Sequence, residues 1–263
     1  MTESMAPADR AKYAAARRAI DFVEDGMRLG LGTGSTAVHM VRALAELVRE
    51  EGLRVTAAAT SRQTAEFAQS LGLEVTEPGE EKWVDLCIDG ADEVDADLNL
   101  IKGGGGALLM EKVIATSADQ VIIIADASKK VARLGGYPLP VEVIPFGWQT
   151  TQALIGELLQ NLDLDGHQSH RRMQGEKPFL TDQGNFILDL ELQRIGAPHQ
   201  LSLVLNQIPG VVENGLFLDI CDTLILGHED GSVELQDINS GQIRHERLEL
   251  AQADNLFSDI ADG

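Results

Sequence analysis

Three short segments rich in glycine and carboxylates constrain this chain more than any other feature of its sequence. They lie at residues 30–37 (GLGTGSTA), 89–93 (DGADE) and 102–112 (KGGGGALLMEK), where predicted strands end. Because open α/β sheets bind ligands at the carboxyl ends of their strands, we expect the three segments to converge. Together they offer backbone donors for a phosphate, acids for hydroxyl protons and a lysine beside a flexible loop. This combination predicts a site for proton chemistry on a small phosphorylated molecule.

The order of apolar patterns in the first half of the chain predicts a parallel α/β sheet. A helical pattern over residues 8–24 precedes a strand-like run at 27–31, and a second helix follows the first glycine loop, with Ser35 or Thr36 as its cap. Further strands are predicted at 53–58, 84–88 and 121–125, and a further helix at 62–71. Alternation of this kind is typical of a doubly wound parallel sheet.

The pattern changes at residues 134–140 (LGGYPLP), where glycines and prolines interrupt it. A helix at 148–161, a polar loop at 165–177, a hairpin of strands 179–181 and 186–190, and a helix at 198–207 predict a small α+β unit. Strands are expected at 211–212 and 224–226, the last returning to the first sheet. We therefore predict a first domain at 1–134, completed by about 208–238, a small domain at 135–207, and an acidic tail at 239–263, either weakly helical or disordered.

Charge and cysteine content narrow the classes of partner. The 263 residues include 21 basic and 42 acidic side chains, which gives a net charge of −21. Such a field disfavours nucleic acids and anionic membranes, because both bind clustered lysine and arginine. The two cysteines lie in apolar runs, no signal peptide is recognisable, and no apolar run approaches the roughly 18 residues of a membrane span. The sequence predicts a cytoplasmic protein.

The 30–37 loop is predicted to hold a phosphate. Its glycines allow N–H groups and a helix N-terminus to point at an anion, and Thr33, Gly34, Ser35 and Thr36 suit a single phosphate group. The loop also matches the relaxed dinucleotide pattern G-x-G-x-x-A, and Arg62 is a candidate for the 2′-phosphate of NADP. A glycine turn without any ligand remains a further alternative. A Walker-type loop is excluded because no Lys-Ser/Thr follows the glycines.

The other two segments are candidates for acid–base chemistry. Asp89 and Asp92, separated by Gly90 and Ala91, are expected on one strand-end loop, where neighbouring carboxylates act as acid and base; Mg²⁺ binding and helix capping are the alternatives. Lys102 and the N–H groups of Gly103, Gly104 and Gly105 form a nest for a developing oxyanion. Glu111 begins the next helix, where the helix dipole favours an acid whatever its role.

Several other classes of site lack support in the sequence. The histidines show no HExxH spacing and the cysteines no CxxC spacing, so no metal and no cofactor is predicted. No Gly-x-Ser-x-Gly elbow indicates a hydrolase. The run at 167–172 (HQSHRR) is interpreted as a solvated loop, with contact to a substrate as the lesser alternative.

Taken in this order, the segments resemble ribose-5-phosphate isomerase, type A. The resemblance spans roughly residues 5–235 and includes the three loops above, 125–129 (ADASK), 140–145 (PVEVIP), 181–189, 208–212 (IPGVV) and 215–217 (GLF). Two departures stand out. Gly106 is a fourth glycine where the family usually has alanine, and the tail after Ile238 lies outside the resemblance.

The resemblance implies a metal-free aldose-ketose isomerase that interconverts ribose 5-phosphate and ribulose 5-phosphate in the pentose phosphate pathway. It implies a Rossmann-like domain with a small ferredoxin-like insertion, usually in a homodimer or homotetramer. By resemblance Glu111 is the catalytic base, Lys102 and Asp92 stabilise a cis-enediolate, Asp89 assists ring opening, and Lys129 contacts the substrate. The rivals are a non-catalytic sugar-phosphate sensor of related fold and a coenzyme A transferase, against which the phosphate-sized loop argues.

Overall fold

Helices and strands alternate along the first half of the chain and again near its end. A computed structural model describes residues 5–79 and 83–248. The helices of this part are α1 Pro7–Ile20, α2 Ser35–Glu51, α3 Arg62–Ser70, α4 Leu108–Thr116, α5 Trp148–Leu159 and α6 Pro198–Leu205. The strands are β1 Arg28–Leu31, β2 Thr56–Ala59, β3 Glu74–Val75, β4 Val84–Asp89, β5 Glu93–Val94, β6 Leu100–Ile101, β7 Ala118–Asp126, β8 Leu139–Val143, β9 Gln168–Arg171, β10 Met173–Gln174, β11 Lys177–Pro178, β12 Phe186–Glu191, β13 Val211–Asn214, β14 Leu216–Phe217, β15 Thr223–Gly227, β16 Ser232–Asp237 and β17 Ile243–Arg247.

Eight of these strands form one large sheet in the order β17-β16-β15-β7-β4-β1-β2-β3. The six strands from β15 to β3 are parallel, and β16 and β17 extend the sheet antiparallel at one edge. From β1 the chain winds one way through β2 and β3 and the other way through β4, β7 and β15. The strand order therefore reverses between β1 and β4, which is where open α/β sheets bind their ligands.

Both faces of the large sheet are covered, as a doubly wound fold requires. Along β7, Ile122 and Ile124 pack in the core that α1, α2 and α3 share. The alternate residues Val121 and Ile123 pack on the opposite face, in the core that contains residues of α4. Side chains alternate across a strand, so a continuous apolar run is what a strand buried on both faces needs. The predicted Rossmann-like class is confirmed.

The inserted unit is an antiparallel sheet of order β13-β8-β12-β9, with α5 and α6 in its core. This is the predicted small ferredoxin-like α+β unit, but three details of the prediction are wrong. Its strand β13 lies beyond the range 135–207. The predicted polar loop contains β9, an edge strand whose alternate residues are exposed. Residues 179–181 form no strand, because the chain there runs from the β10–β11 hairpin into a turn.

The chain after Ile238 contributes to the large sheet. The strand β17 pairs with β16, and the Arg18 guanidinium on α1 donates to Glu246 on β17 at 2.7 Å. The prediction that 239–263 is wholly a tail is therefore wrong for β17, and residues 249–263 lie outside the described part. None of the helices within residues 5–79 and 83–248 is both long and apolar enough to cross a membrane.

Candidate active site

The first glycine loop leaves the N-terminus of α2 open. Gly34 precedes the helix with φ at +116°, a backbone conformation that favours glycine, and no side chain caps the helix. The predicted capping by Ser35 or Thr36 is wrong, since α2 already begins at Ser35. Uncapped N–H groups at the start of a helix are donors for an anion, which agrees with the predicted phosphate loop.

Thr33 organises this loop from inside the protein. Its Oγ1 lies 2.7 Å from Thr60 Oγ1, 2.8 Å from Ser61 Oγ and 3.1 Å from Thr64 Oγ1, and its N–H donates to Asp89 Oδ1 at 3.1 Å. The hydroxyl that we predicted for substrate is thus occupied by other hydroxyls of the chain. The side chains of Ser35 and Thr36 are the loop hydroxyls left for a ligand.

A buried lysine joins two carboxylates at the centre of the site. Lys102 follows β6, in the sheet of order β14-β6-β5, and its Nζ lies 3.0 Å from Asp89 Oδ2 and 3.0 Å from Glu111 Oε1. Nζ also donates to the Gly90 carbonyl at 2.6 Å. The residues Asp89, Lys102 and Glu111 are only 1%, 2% and 4% exposed. The ends of β4 and β6 and the start of α4 therefore place the three predicted groups in direct contact.

Burial and charge set the protonation of this cluster. Burial lowers the pKa of Lys102, but the carboxylates of Asp89 and Glu111 together raise this pKa by more than burial lowers it. The net shift is upward, so the ammonium stays protonated. Burial raises the pKa of Glu111 to about 8, against the opposing effect of Lys102 and with a smaller upward contribution from Asp89. Glu111 Oε2 is buried and has no hydrogen-bond partner among the described residues. One oxygen of this carboxylate is therefore available to a substrate proton.

The glycine loop after Lys102 is held from two sides. On one side, the Gly104 N–H donates to Asp92 Oδ2 at 2.7 Å. On the other, Arg172 Nη1 donates to the carbonyls of Gly103 and Gly104 at 2.9 and 3.0 Å. The arginine belongs to the run at 167–172 that we predicted to be a solvated loop, so that interpretation is wrong for it.

All predicted site residues except Asp89 line one cavity of about 260 Å³. Its walls come from the loops after β1, β4, β6 and β7, and from α1 and α4. Ser128 and Asp126 also line it, beside the predicted Lys129, and α1 contributes Ala8 and Lys12. The predicted residues in the lining are Thr33, Gly34, Ser35, Thr36, Gly90, Ala91, Asp92, Lys102, Gly103, Gly104, Gly105, Glu111 and Lys129; Asp89 reaches it through Lys102.

Sequence reasoning missed Lys12 and Arg172. Lys12 is one of several basic residues on an alanine-rich helix, and nothing local indicates that this helix covers the phosphate loop. A doubled arginine at 171–172 within a polar segment was the sequence feature that could have indicated a contact. The partner of Arg172 is Asp189 on β12, 17 residues away, which local sequence does not reveal.

The arrangement of the described residues does not favour the two alternative sites, one for the 2′-phosphate of NADP and one for a metal ion. The Arg62 guanidinium donates to the Asp182 carbonyl at 2.9 Å, so it is engaged with the small unit and not with the loop where a nucleotide would lie. Over residues 5–79 and 83–248, no three His, Cys, Asp or Glu side chains are grouped as metal ligands.

Buried titratable groups that share a cavity with an open helix N-terminus give this chain the features of an α/β protein that binds small anionic molecules. Comparison with known proteins narrows the class. The model of the family described as ribose 5-phosphate isomerase A (phosphoriboisomerase A) matches residues 56–231. Ribose-5-phosphate isomerase A of Ruegeria pomeroyi is 61% identical over 262 residues, which is 100% of both chains. The chain therefore belongs to the ribose 5-phosphate isomerase A family, a family of isomerases.

Solved structures agree with this assignment. Ribose 5-phosphate isomerase from Plasmodium falciparum has a TM-score of 0.80 at 31% identity, and the match covers 92% of this chain and 99% of that one. A D-ribose-5-phosphate isomerase in complex with phospho-erythronic acid has a TM-score of 0.79 at 38% identity, covering 86% and 97%. The family model ends at residue 231, before the predicted limit of about 235, whereas the match to the Ruegeria protein extends over 100% of the chain.

Proposed function

We propose that this protein interconverts D-ribose 5-phosphate and D-ribulose 5-phosphate through a cis-enediolate, without a metal ion. The family assignment and the chemistry of the cavity support the proposal. The observation that carries it is the Glu111 carboxylate, which is buried against the Lys102 ammonium at 3.0 Å and has one oxygen without a hydrogen-bond partner among residues 5–79 and 83–248. A pure sugar-phosphate sensor has no need for such a carboxylate, since burying it costs free energy.

In this proposal the phosphate binds at the open N-terminus of α2. N–H groups of the first helical turn and the hydroxyls of Ser35 and Thr36 donate to its oxygens. Lys12 and Lys129 line the same cavity and supply positive charge. They provide the local compensation that an anionic substrate needs on a chain with a net charge of −21.

The sugar end of the substrate extends toward the buried cluster. Asp89 assists ring opening by accepting the proton of the C1 hydroxyl and returning a proton to the ring oxygen. Glu111 then removes the proton from C2, the electron pair of that bond forms the C1–C2 double bond, and the carbonyl oxygen on C1 takes up the negative charge. The hydroxyl proton on O2 then moves to the oxyanion on C1, which places the negative charge on O2. As Glu111 returns its proton to C1, the C2 oxyanion becomes the carbonyl and the product is the ketose, so one base serves both half-reactions.

The enediolate charge is stabilised by groups already in place. The Lys102 ammonium and the N–H groups of the glycine loop supply positive potential where the oxyanion forms, and Asp92 accepts from a substrate hydroxyl. Preorganised donors of this kind act strongly because water is excluded from the site.

A coupled assay that detects ribulose 5-phosphate formed from ribose 5-phosphate tests the function directly. We expect turnover by the purified chain alone. Calorimetric binding of ribose 5-phosphate without turnover would contradict the proposal and support the sensor.

We further propose a cytoplasmic homodimer or homotetramer. Both cysteines are free and buried, which suits a reducing compartment. On the small unit, Phe146 is 88% exposed and Leu203 65% exposed, large values for apolar side chains. Light scattering measures the mass of the assembly, and Phe146→Ser should lower it if this face is an interface between copies. A monomeric wild-type chain would contradict the assignment.

A further inference from the structure

The small ferredoxin-like unit reaches the catalytic loop through one side chain, Arg172. This arginine directly follows β9, and its backbone N–H donates to the Ile187 carbonyl on β12 at 2.8 Å. Its Nε and Nη2 donate to the Asp189 carboxylate at 2.9 and 2.5 Å, a two-point contact that orients the planar guanidinium. The side chains of Arg172 and Asp189 are only 15% and 12% exposed. The direction in which Nη1 points is therefore set by the small sheet.

Nη1 binds the glycine loop on the side away from Asp92. It donates to the carbonyl oxygens of Gly103 and Gly104, while the Gly104 N–H donates to Asp92 Oδ2. In a trans peptide the C=O and N–H groups point in opposite directions. Fixing the Gly103 oxygen thus directs the Gly104 N–H toward Asp92, as observed. By the same geometry, fixing the Gly104 oxygen directs the Gly105 N–H toward the cavity side.

A turn within the loop, in which the Gly106 N–H donates to the Gly103 oxygen at 3.0 Å, holds the first of these peptide planes only in part. The Gly104 oxygen is held by Arg172. Consecutive glycines have the widest choice of backbone conformations of any residue, so their peptide planes rotate unless outside contacts hold them. Hydrogen-bond donors stabilise an oxyanion strongly when their orientation is already fixed before the reaction.

We propose that Arg172 is a positioning residue for the isomerase reaction. It fixes the two peptide planes between Gly103 and Gly105, so that the Gly104 N–H holds Asp92 and the Gly105 N–H faces the developing enediolate oxygen. The small unit is then part of the catalytic apparatus, although Arg172 does not line the cavity. The expected effect on kcat rests on the proposed function. The expected effect on the glycine loop does not.

The test is Arg172→Lys, which keeps the charge beside Asp189 and loses the planar fork. We expect kcat to fall about 10- to 100-fold, less than the roughly 10²- to 10³-fold loss from deleting an oxyanion donor outright. KM should stay close to that of the wild type, because the phosphate is held by α2. Hydrogen exchange of the peptide that contains residues 103–106 should accelerate, which reports on the loop without substrate.

Arg194→Lys is the matched control. Arg194 is also on the small unit and pairs with Asp163 and Asp165, but it lies away from the glycine loop. We expect its kcat and the loop exchange to equal those of the wild type. If Arg172→Lys fails to fold, Asp189→Asn loosens the same guanidinium while retaining Arg172, and should move both readouts in the same direction by a smaller amount.

Each outcome decides the inference. Unchanged exchange of the loop in Arg172→Lys overturns it, and so does accelerated exchange with unchanged kcat. A fall in kcat that is matched by the Arg194 control also overturns it. If the wild-type chain does not isomerise ribose 5-phosphate, the proposed function fails, while the exchange measurement still decides whether Arg172 holds the loop.

Discussion

Replacing Glu111 by glutamine tests the proposed base with the least change of shape. The amide keeps the size of the side chain and an oxygen for the Lys102 ammonium, but it cannot accept the C2 proton. Loss of a general base typically slows turnover by about 10² to 10⁴, equal to roughly 3 to 5 kcal/mol of activation free energy. Binding of ribose 5-phosphate should survive, because in the proposed binding mode the loop that begins α2 holds the phosphate.

The same substitution should not destabilise the fold. The pKa of Glu111 rises from its ordinary value of 4.5 to about 8 in the native state, so at pH 7 the group is ionised in the unfolded chain and mostly protonated in the folded one. A raised carboxyl pKa disfavours the native state above the unfolded pKa, and the penalty grows between pH 4.5 and 8. At pH 7 it amounts to at most about 3 kcal/mol, from 1.36 kcal/mol per pH unit. Glutamine removes this penalty, so Tm should stay equal or rise.

Glu142→Gln provides the matched control. Glu142 is also fully buried, its Oε2 has no partner in the described part of the chain, and burial raises its pKa, yet it does not line the cavity. The assays are kcat by the coupled reaction, affinity by calorimetry and Tm by scanning calorimetry. Near-normal kcat in Glu111→Gln would remove Glu111 from the mechanism and direct attention to Asp89 or Asp92. A comparable loss of kcat in the control would show that the assay reports on packing.

Four further results are expected. EDTA should leave kcat unchanged, because Lys102 and the glycine loop carry the enediolate charge; activity lost on chelation and restored by Mg²⁺ or Zn²⁺ would revive a metal role. The kcat/KM profile should fall as pH decreases with an apparent pKa displaced upward toward 8, since a protonated Glu111 accepts no proton; an apparent pKa near the ordinary value of 4.5 would contradict this. Ending the chain after Ile238 should lower Tm through loss of β17 but leave kcat intact, because no residue of β17 lines the cavity. An unchanged Tm would show that β17 contributes nothing to stability. Gly106→Ala should lower Tm, because Gly106 has φ at +82° and a Cβ there would clash with the Phe179 ring; a wild-type Tm would show that Phe179 moves aside.

Much of the fold was predictable because its signals are local. Residues 86–88 of β4 and 121–125 of β7 are continuous apolar runs, which is the pattern of parallel strands buried on both faces. Glycine-rich segments follow β1 and β4, and the rule that carboxyl ends share one edge then brings Asp89 and the 30–37 loop together. Lys102 and Glu111 were identified from their chemistry and from the family resemblance. The sequence did not show that they touch.

The errors at the edges of the sheets have a common cause. Strands β9 and β17 are polar and partly exposed, so their hydrophobic periodicity is weak and they resemble loops or tails. Edge strands gain their structure from a neighbour far away in the chain. Pairing with β12 and β16 therefore decides them, and local propensity does not.

By itself, the sequence of this protein determined the alternation of strands and helices, the two kinds of domain and the chemical groups at the strand ends, because each depends on neighbouring residues. Only the tertiary structure decided how those groups are used. In the structure, the Thr33 hydroxyl points inward and the N-terminus of α2 is uncapped. Lys12 lines the same cavity as the 30–37 loop, and Arg172 donates to the glycine loop. Each of these outcomes depends on the direction of a side chain relative to residues that are distant in sequence, and packing of the whole fold sets that direction.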